Sequence, residues 1–165
     1  GRLTRQKDFP TLVRAFARLR ARRLARLVIL GDGAGRRELE TLAAESGIQG
    51  DVALVGHVDN PYAWLVRADL FVLSSAWEGS PNVLTEAVAC GTPVVSTDCP
   101  SGPRELLAAG YYGPLVPVGD DAAMAEAMAR VLDHPPSAAS LRKAAAAYTV
   151  EASTDGYLSV LGLND

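Results

Sequence analysis

Short apolar runs alternate with amphipathic segments along the whole chain. An apolar run bounded by turn residues predicts a buried strand, and apolar residues recurring every three or four positions predict a helix. The predicted strands lie at 26–30, 51–55, 69–73, 93–96 and 115–118. The predicted helices lie at 9–23, 35–46, 61–67, 82–90, 102–109, 120–132, 138–147 and 151–161. This alternation indicates the α/β class, with a Rossmann-like parallel sheet and helices on both faces.

Capping residues support several of these boundaries. Asp8 and Asp120 are suited to accept hydrogen bonds from the first turns of the helices that follow them. Gly47 and Gly91 are suited to end the helices before them in a left-handed conformation. Ser80-Pro81 predicts a helix with Ser80 as the N-cap and Pro81 at its first position.

Composition describes an ordinary globular domain. The chain has 165 residues, of which 48% are hydrophobic, and a net charge of −3. That length is enough for one domain with a buried core. No apolar run approaches the roughly 18–20 residues that span a bilayer. Cys90 and Cys99 have no metal-like spacing, and Cys90 in an apolar helix indicates a reduced thiol and a cytoplasmic protein.

Charge is unevenly distributed. Residues 1–26 contain nine of the 16 basic residues and one acid, a net charge of +8, whereas the remaining residues carry −11. Arg14, Arg18 and Arg22 recur every four positions, which predicts a solvated helix face. A surface facing anionic lipid or another domain is the alternative. Nucleic acid is not an expected partner, because no aromatic residues interleave with the basic ones.

Candidate chemistry is concentrated between Trp77 and Ala87. Glu78 follows the predicted strand 69–73, and Glu86 lies about one turn inside the next predicted helix. The helix N-terminus between them offers unpaired N–H groups and a partial positive charge, which suit a phosphate. A carboxylate on either side can accept hydrogen bonds from hydroxyl groups. A sugar, a diphosphate and a ribose in series would satisfy this arrangement.

These residues resemble a known family. Glu78-(x)7-Glu86, followed by residues 87–96, is similar to the signature of glycosyltransferase family 4, the group 1 retaining glycosyltransferases. Gly1-Arg2-Leu3 with Lys7-Asp8, Gly31-Asp32-Gly33, and Ser101 to Glu105 fit the same family in the same order. The resemblance implies the C-terminal half of a GT-B fold. Residues 1–165 would then be a single nucleotide-sugar-binding domain, with the N-terminal acceptor domain and the first strand absent.

The resemblance also implies roles for individual residues. Arg2 and Lys7 would bind the donor's diphosphate and stabilise the leaving group, and Glu78 would act near the transferred hexose; these three are the expected catalytic residues. Glu86 would accept hydrogen bonds from the two ribose hydroxyls. The other expected donor contacts are Gly31, His57, Val58, Gly79, Ser80, Pro81, Asn82, Val83 and Leu84. No metal ligands and no cofactor are expected, since the nucleoside diphosphate sugar is a substrate.

The same residues have other interpretations, which either assign them a purely structural role or explain fewer of them. Glu86 could be a first-turn acid that stabilises the helix dipole. Glu78 and Glu86 could be the paired carboxylates of a glycosidase, but that leaves the basic pair unexplained. Residues 31–35 have the spacing G-x-G-x-G, which differs from the dinucleotide fingerprint G-x-G-x-x-G.

The predicted function is therefore the donor-binding half of a retaining, metal-independent glycosyltransferase that moves a hexose to an acceptor hydroxyl. We expect this half to be inactive alone. Half of a sugar-nucleotide epimerase and a non-catalytic nucleotide-binding module are the alternatives. The expected location is the cytoplasm, and a peripheral contact with the inner face of the membrane through the other domain is compatible with it. Because relatives carry a strand before the Gly-Arg-Leu motif, we also expect a gap in the sheet and a reduced stability.

Overall fold

The strands and helices follow one another in the predicted order in the computed structural model, which describes residues 1–163. The strands of this part of the chain are β1 (Leu27–Leu30), β2 (Val52–Gly56), β3 (Phe71–Leu73), β4 (Val94–Thr97) and β5 (Leu115–Val116). Its α-helices are α1 (Phe9–Arg20), α2 (Arg36–Glu45), α3 (Tyr62–Leu65), α4 (Asn82–Cys90), α5 (Pro103–Leu106), α6 (Asp121–Asp133), α7 (Ala138–Ala145) and α8 (Val150–Leu161). The α/β class is thus confirmed.

Most of the predicted caps are confirmed. Asp8 accepts a hydrogen bond from the Thr11 N–H over 3.4 Å, and Asp120 accepts one from the Ala123 N–H over 2.8 Å. Gly91 ends α4 with a φ of 80°, a conformation that glycine adopts without steric cost.

The predicted cap at Ser80 is wrong. Pro81 occupies the N-cap position of α4 with φ −80° and ψ 70°, and the helix begins one residue later, at Asn82. The Ser80 hydroxyl donates instead to the side-chain oxygen of Asn82 over 3.3 Å. Ser80 is therefore free of the helix and belongs to the loop before it.

Several elements are shorter than predicted, and α1, β3 and α5 show the physical reasons. Helix α1 ends at Arg20, since the N–H groups of Arg22 and Arg23 turn back to the Leu19 carbonyl. Strand β3 begins at Phe71, the first residue in register with β4. The predicted helix 102–109 stops at Leu106, because left-handed residues follow it in a 3-10 turn at Ala108–Gly110.

The parallel strands form two sheets, where the sequence predicted one. Strand β1 pairs with β2, and β4 pairs with β3 on one side and β5 on the other. Within residues 1–163 no strand pairing joins the two sheets. This division agrees with the expected gap, because no strand of the described chain lies between β1 and β3.

The core has two parts, on opposite faces of the strands. Val95 and Val94 are adjacent in β4, are both fully buried, and belong to different parts. Side chains of α1, α2 and α6 surround Val95, and side chains of α3, α4, α5 and α7 surround Val94. Helices therefore cover both faces, as predicted, because successive strand residues point to opposite sides.

The basic face of α1 packs beside the acidic face of α6. Ion pairs join Arg18 to Asp121 over 2.9 Å, Arg22 to Glu126, and Arg23, just beyond α1, to Asp133 over 2.8 Å. Arg20 reaches Asp51 over 2.8 Å. The predicted solvated face is confirmed, since Arg14, Arg18 and Arg22 are all exposed, and two of these arginines also pair with exposed or partly exposed acids of α6.

The carboxyl-terminal helix α8 differs from the others in having no buried residue. Tyr157, Val160 and Leu161 are among its exposed apolar side chains. Among the helices of residues 1–163, none is long and apolar enough to cross a bilayer.

Candidate functional site

Residues 1–8, the N-terminal segment, cross the carboxyl ends of both sheets. The Leu3 N–H donates to the Asp32 carbonyl, just after β1, over 2.9 Å. Beyond β3, the Ala76 N–H donates to the Gln6 carbonyl over 2.8 Å and the Ser74 hydroxyl donates to the Lys7 carbonyl over 2.7 Å. The segment therefore carries Arg2 and Lys7 to the edge of the sheets where ligands bind in open parallel α/β folds.

Gly31 makes room for this segment. Its φ is 121°, and a Cβ built on it would lie 1.8 Å from the Gly1 carbonyl oxygen. Only glycine satisfies both the backbone conformation and this close approach. Gly31 is thus required by the backbone at this position, and its contact with the donor stays a prediction.

Lys7 and Glu78 form the central ion pair. The Lys7 Nζ lies 2.6 Å from Glu78 Oε1, and the Ser75 hydroxyl donates to the same oxygen over 2.5 Å. The Glu78 side chain is only 6% exposed and that of Lys7 20%, so both charges are largely removed from water. Charge-assisted bonds of this kind are shorter and stronger than neutral ones.

The loop that carries Glu78 is fixed by distant residues. The Glu78 N–H donates to the Pro100 carbonyl over 3.3 Å, and Gln6 Nε2 donates to the Trp77 carbonyl over 3.1 Å. Gly102 packs so closely on Pro81 that an added Cβ would meet its Cδ at 2.3 Å. Sequence reasoning missed Gln6 and Pro100, since no local pattern links residues this far apart. It also missed Ser75, which lies only three positions from Glu78 in a predicted turn.

The N-terminus of α4 points unpaired donors into the same region. Within residues 1–163, no intramolecular acceptor is found for the N–H groups of Gly79, Ser80 and Val83. The next N–H groups, those of Leu84 and Thr85, bond to the Pro81 carbonyl over 2.8 and 3.3 Å. Unpaired donors and the helix dipole together favour an anion at this end of the helix.

Glu86 lies on the far side of this helix end. Its Oε1 accepts a hydrogen bond from the Tyr62 hydroxyl over 3.3 Å, and the negative charge of Glu86 raises the pKa of that phenol. Glu86 lines a groove of about 620 Å³ that also includes Tyr62, Ser80, Asn82, Thr85 and Tyr148. Its carboxylate is therefore accessible to a ligand in the groove.

His57 and Val58 follow β2 at the same edge. The Gly56 carbonyl accepts a hydrogen bond from the Gly31 N–H over 2.6 Å, so this loop lies beside the turn after β1. The His57 side chain is 85% exposed and its Nε2 is 3.8 Å from an Asp59 carboxylate oxygen. The imidazole thus takes no part in the Lys7–Glu78 cluster.

The described part of the chain has no group of three or more His, Cys, Asp and Glu side chains arranged to hold a metal ion. Arg2 is exposed, and residues 1–163 provide it with no ion-pair partner. The charges available to an anion in this region are therefore side-chain cations and the dipole of α4.

The fold matches one of the two domains of GT-B glycosyltransferases of known structure. The chain belongs to the group 1 glycosyl transferases, whose family pattern matches residues 1–148.

Curated relatives and solved structures agree with this assignment. The lipopolysaccharide core biosynthesis glycosyltransferase LpsE of Rhizobium meliloti is 38% identical over 170 residues, covering 98% of this chain and 48% of LpsE. The N-acetylgalactosamine-N,N'-diacetylbacillosaminyl-diphospho-undecaprenol 4-alpha-N-acetylgalactosaminyltransferase of Campylobacter jejuni is 38% identical over 133 residues, 81% of this chain and 36% of that protein. The apo structure of the lipopolysaccharide outer core galactosyltransferase WaaB superposes with a TM-score of 0.85 and 25% identity, over 98% of this chain and 47% of WaaB. The chain thus spans about half or less of the length of these proteins.

Proposed function

We propose that this chain is the donor-binding half of a retaining, metal-independent glycosyltransferase. The parent reaction moves a hexose from a nucleoside diphosphate sugar to an acceptor hydroxyl in cytoplasmic glycan synthesis. The observation that carries the proposal is the Lys7–Glu78 pair at 2.6 Å beside the unpaired N–H groups at the start of α4. A cation, a carboxylate and a helix end suited to an anion together support a donor site here.

The diphosphate would bind at the N-terminus of α4. The N–H groups of Gly79, Ser80 and Val83 are available to its oxygens, and Arg2 and Lys7 supply positive charge. When the bond between the sugar and the diphosphate breaks, negative charge accumulates on the departing nucleoside diphosphate. Preorganised donors and cations that face this charge lower the barrier, because they are oriented before the reaction begins.

The two carboxylates would bind the two sugars of the donor. Glu78 would accept from hydroxyls of the transferred hexose, and Glu86 from the ribose hydroxyls. Both carboxylates can only accept hydrogen bonds, so a ligand rich in hydroxyl groups is their natural complement. The groove lined by Glu86 and Tyr62 would receive the nucleoside.

The acceptor would bind outside this chain. Since the chain spans about half the length of its curated relatives, we assign the acceptor site to the remaining half of the parent protein. We therefore expect the chain to bind a donor and to transfer nothing by itself. Turnover by the chain alone would contradict this part of the proposal.

Calorimetric titration with UDP, GDP, UDP-glucose and GDP-mannose tests the proposal. We expect saturable binding of one nucleotide series, lost in an Arg2→Ala/Lys7→Ala variant. An Arg14→Ala/Arg26→Ala variant removes the same positive charge from exposed positions outside the site and should bind as the wild-type chain does. If no nucleotide binds, or if both double variants lose binding equally, the assignment of this site is wrong.

A further inference from the structure

Ser75 lies at the base of the site and is completely buried. Its hydroxyl donates to Glu78 Oε1 over 2.5 Å. Its own main chain is fixed, because the Thr97 hydroxyl donates to the Ser75 carbonyl over 2.6 Å. A continuous series of hydrogen bonds therefore runs from β4 through Ser75 to the carboxylate of Glu78.

The two oxygens of Glu78 have different surroundings. Oε1 accepts from both the Ser75 hydroxyl and the Lys7 ammonium. In the described part of the chain no hydrogen bond to Oε2 is found. Rotating the carboxylate would break both bonds to Oε1, so these bonds fix the direction in which Oε2 points.

We infer that Ser75 is a positioning residue for Glu78: it holds Oε1 beside Lys7 so that Oε2 can accept a hydrogen bond from a hydroxyl of the sugar in a nucleoside diphosphate sugar. This inference rests on the proposed function. Ser75 is buried beneath Glu78 and acts on the ligand only through that carboxylate. Because Lys7 shares Oε1, part of the influence of Ser75 reaches the diphosphate, and that part is common to nucleotide and nucleotide sugar. The remaining influence acts on the sugar alone.

A purely structural serine would behave differently from a positioning one. Loss of a buried hydroxyl that only stabilises the loop would weaken the binding of nucleotide and nucleotide sugar by the same factor. Loss of a positioning hydroxyl changes the ratio of the two affinities, because only the sugar contacts Glu78. The ratio of the dissociation constants of UDP and UDP-glucose, or of GDP and GDP-mannose, separates these roles.

The experiment measures this ratio by calorimetry in Ser75→Ala and in a matched control, Ser96→Ala. Ser96 is also completely buried, and its hydroxyl donates to the Thr97 carbonyl over 2.8 Å, away from Glu78. We expect Ser75→Ala to lower the preference for the sugar conjugate about tenfold, the scale of one hydrogen bond to a charged group. Ser96→Ala should leave the ratio unchanged, even if it lowers the melting temperature as much as Ser75→Ala does.

A double-mutant cycle shows whether the effect passes through Glu78. In a Glu78→Gln background, Ser75→Ala should change the ratio less than about twofold, because the carboxylate that it positions is absent. An unchanged ratio in Ser75→Ala, an equal change in Ser96→Ala, or a full effect in the Glu78→Gln background would overturn the inference and leave the proposed function standing. If the wild-type chain binds no nucleotide, the proposed function fails and this inference fails with it.

Discussion

Glu78 lies in a nearly enclosed position, and Lys7 is its ion-pair partner at 2.6 Å. Removing one member of such a pair leaves the other charge without a partner in a region with little water. The substitution Glu78→Gln keeps the shape of the side chain and removes only the charge. It therefore isolates the contribution of the ion pair from that of packing.

We expect Glu78→Gln to lower the free energy of unfolding by about 1–3 kcal/mol, the range for charge-assisted hydrogen bonds in partly buried sites. Urea denaturation measures this difference. Glu40→Gln is the matched control, because Glu40 is 55% exposed and pairs only with Arg36 on the same helix face. The control should change stability by less than about 0.5 kcal/mol, and equal effects of the two variants would show that enclosure of Glu78 adds nothing.

Gly102 supports the start of α4 through its contact with Pro81. A side chain there meets Pro81 Cδ at 2.3 Å and must also adopt a φ of 90°. We expect Gly102→Ala to destabilise the chain by at least about 2 kcal/mol and to weaken nucleotide binding, because Pro81 must move. Gly50→Ala, at a position with nothing within 4 Å, should leave both the melting temperature and the affinity near wild type.

Single residues of the site were predictable from the sequence only where the chemistry is local. The spacing of Glu78 and Glu86 around a helix start placed both carboxylates at one end of α4. The contact between Lys7 and Glu78 was not predictable in this way, since 71 residues separate them. The predicted cap at Ser80 failed because Pro81, with its restricted φ, took the N-cap position itself.

At the scale of elements, the chain between α5 and β5 carries backbone strain. Ala109 has φ 53° and ψ 32°, and Ala108 has φ 46°, left-handed conformations that cost an L-residue about 1–2 kcal/mol each. The sequence supplies alanine at both positions and glycine only at the next. The strain explains why helix α5 ends earlier than its apolar pattern predicts.

Replacing Ala109 with glycine should remove part of this strain. We expect the free energy of unfolding to rise by about 0.5–1 kcal/mol, after allowance for the greater freedom of glycine in the unfolded chain. Ala139→Gly, at an exposed position in α7, should lower it by about 1 kcal/mol, since glycine disfavours a right-handed helix. If Ala109→Gly is less stable than the wild-type chain, the contacts made by the Ala109 methyl group stabilise the fold by more than its left-handed conformation costs.

The ion pairs between elements differ in exposure and should differ in strength. Arg20 and Asp51 are each 28% exposed, whereas Arg22 and Glu126 are 65% and 53% exposed. We expect Asp51→Asn to cost about 1 kcal/mol and Glu126→Gln less than about 0.5 kcal/mol in low salt. Repeating the urea titrations at 1 M salt should reduce the effect of Glu126→Gln proportionally more than that of Asp51→Asn, because screening acts mainly on exposed charges.

At the scale of the whole molecule, side chains and the N-terminal segment hold the two sheets together, and within residues 1–163 no strand pairing joins them. Helix α1 packs against residues of both sheets, and residues 1–8 contact the carboxyl ends of β1 and β3. Each sheet thus has an edge strand facing the other sheet. Order and class of the elements were predictable from their periodicity, but this division depends on which strands are present to pair.

We expect this arrangement to limit thermal stability. The isolated chain should unfold below ~60 °C, within the range of ordinary domains, because the interface between the sheets lacks the hydrogen bonds of a continuous sheet. Differential scanning calorimetry measures the transition. A single cooperative transition well above that temperature would show that side-chain packing alone joins the sheets firmly.

The distribution of charge was also predictable only in part. The excess of basic residues at the start of the chain was visible in the sequence, but its partners on α6 were not, because they lie about 100 residues away. A lipid surface was one alternative for these arginines. Arg18, Arg22 and Arg23 pair with acids of α6, and the lipid surface stays an untested alternative.

The N-terminal segment has a consequence for the order in which the chain acquires function. The site joins residues from the first ten positions to a loop 71 residues later, and both sheets must be assembled before the segment can cross them. Contacts of such long sequence separation are costly to form early in folding. A ligand of this site would therefore recognise only chains that have completed folding. Ligand binding would therefore measure the native fraction of a refolding mixture more strictly than helix content does. The ligand would also shift that mixture towards the native state by mass action.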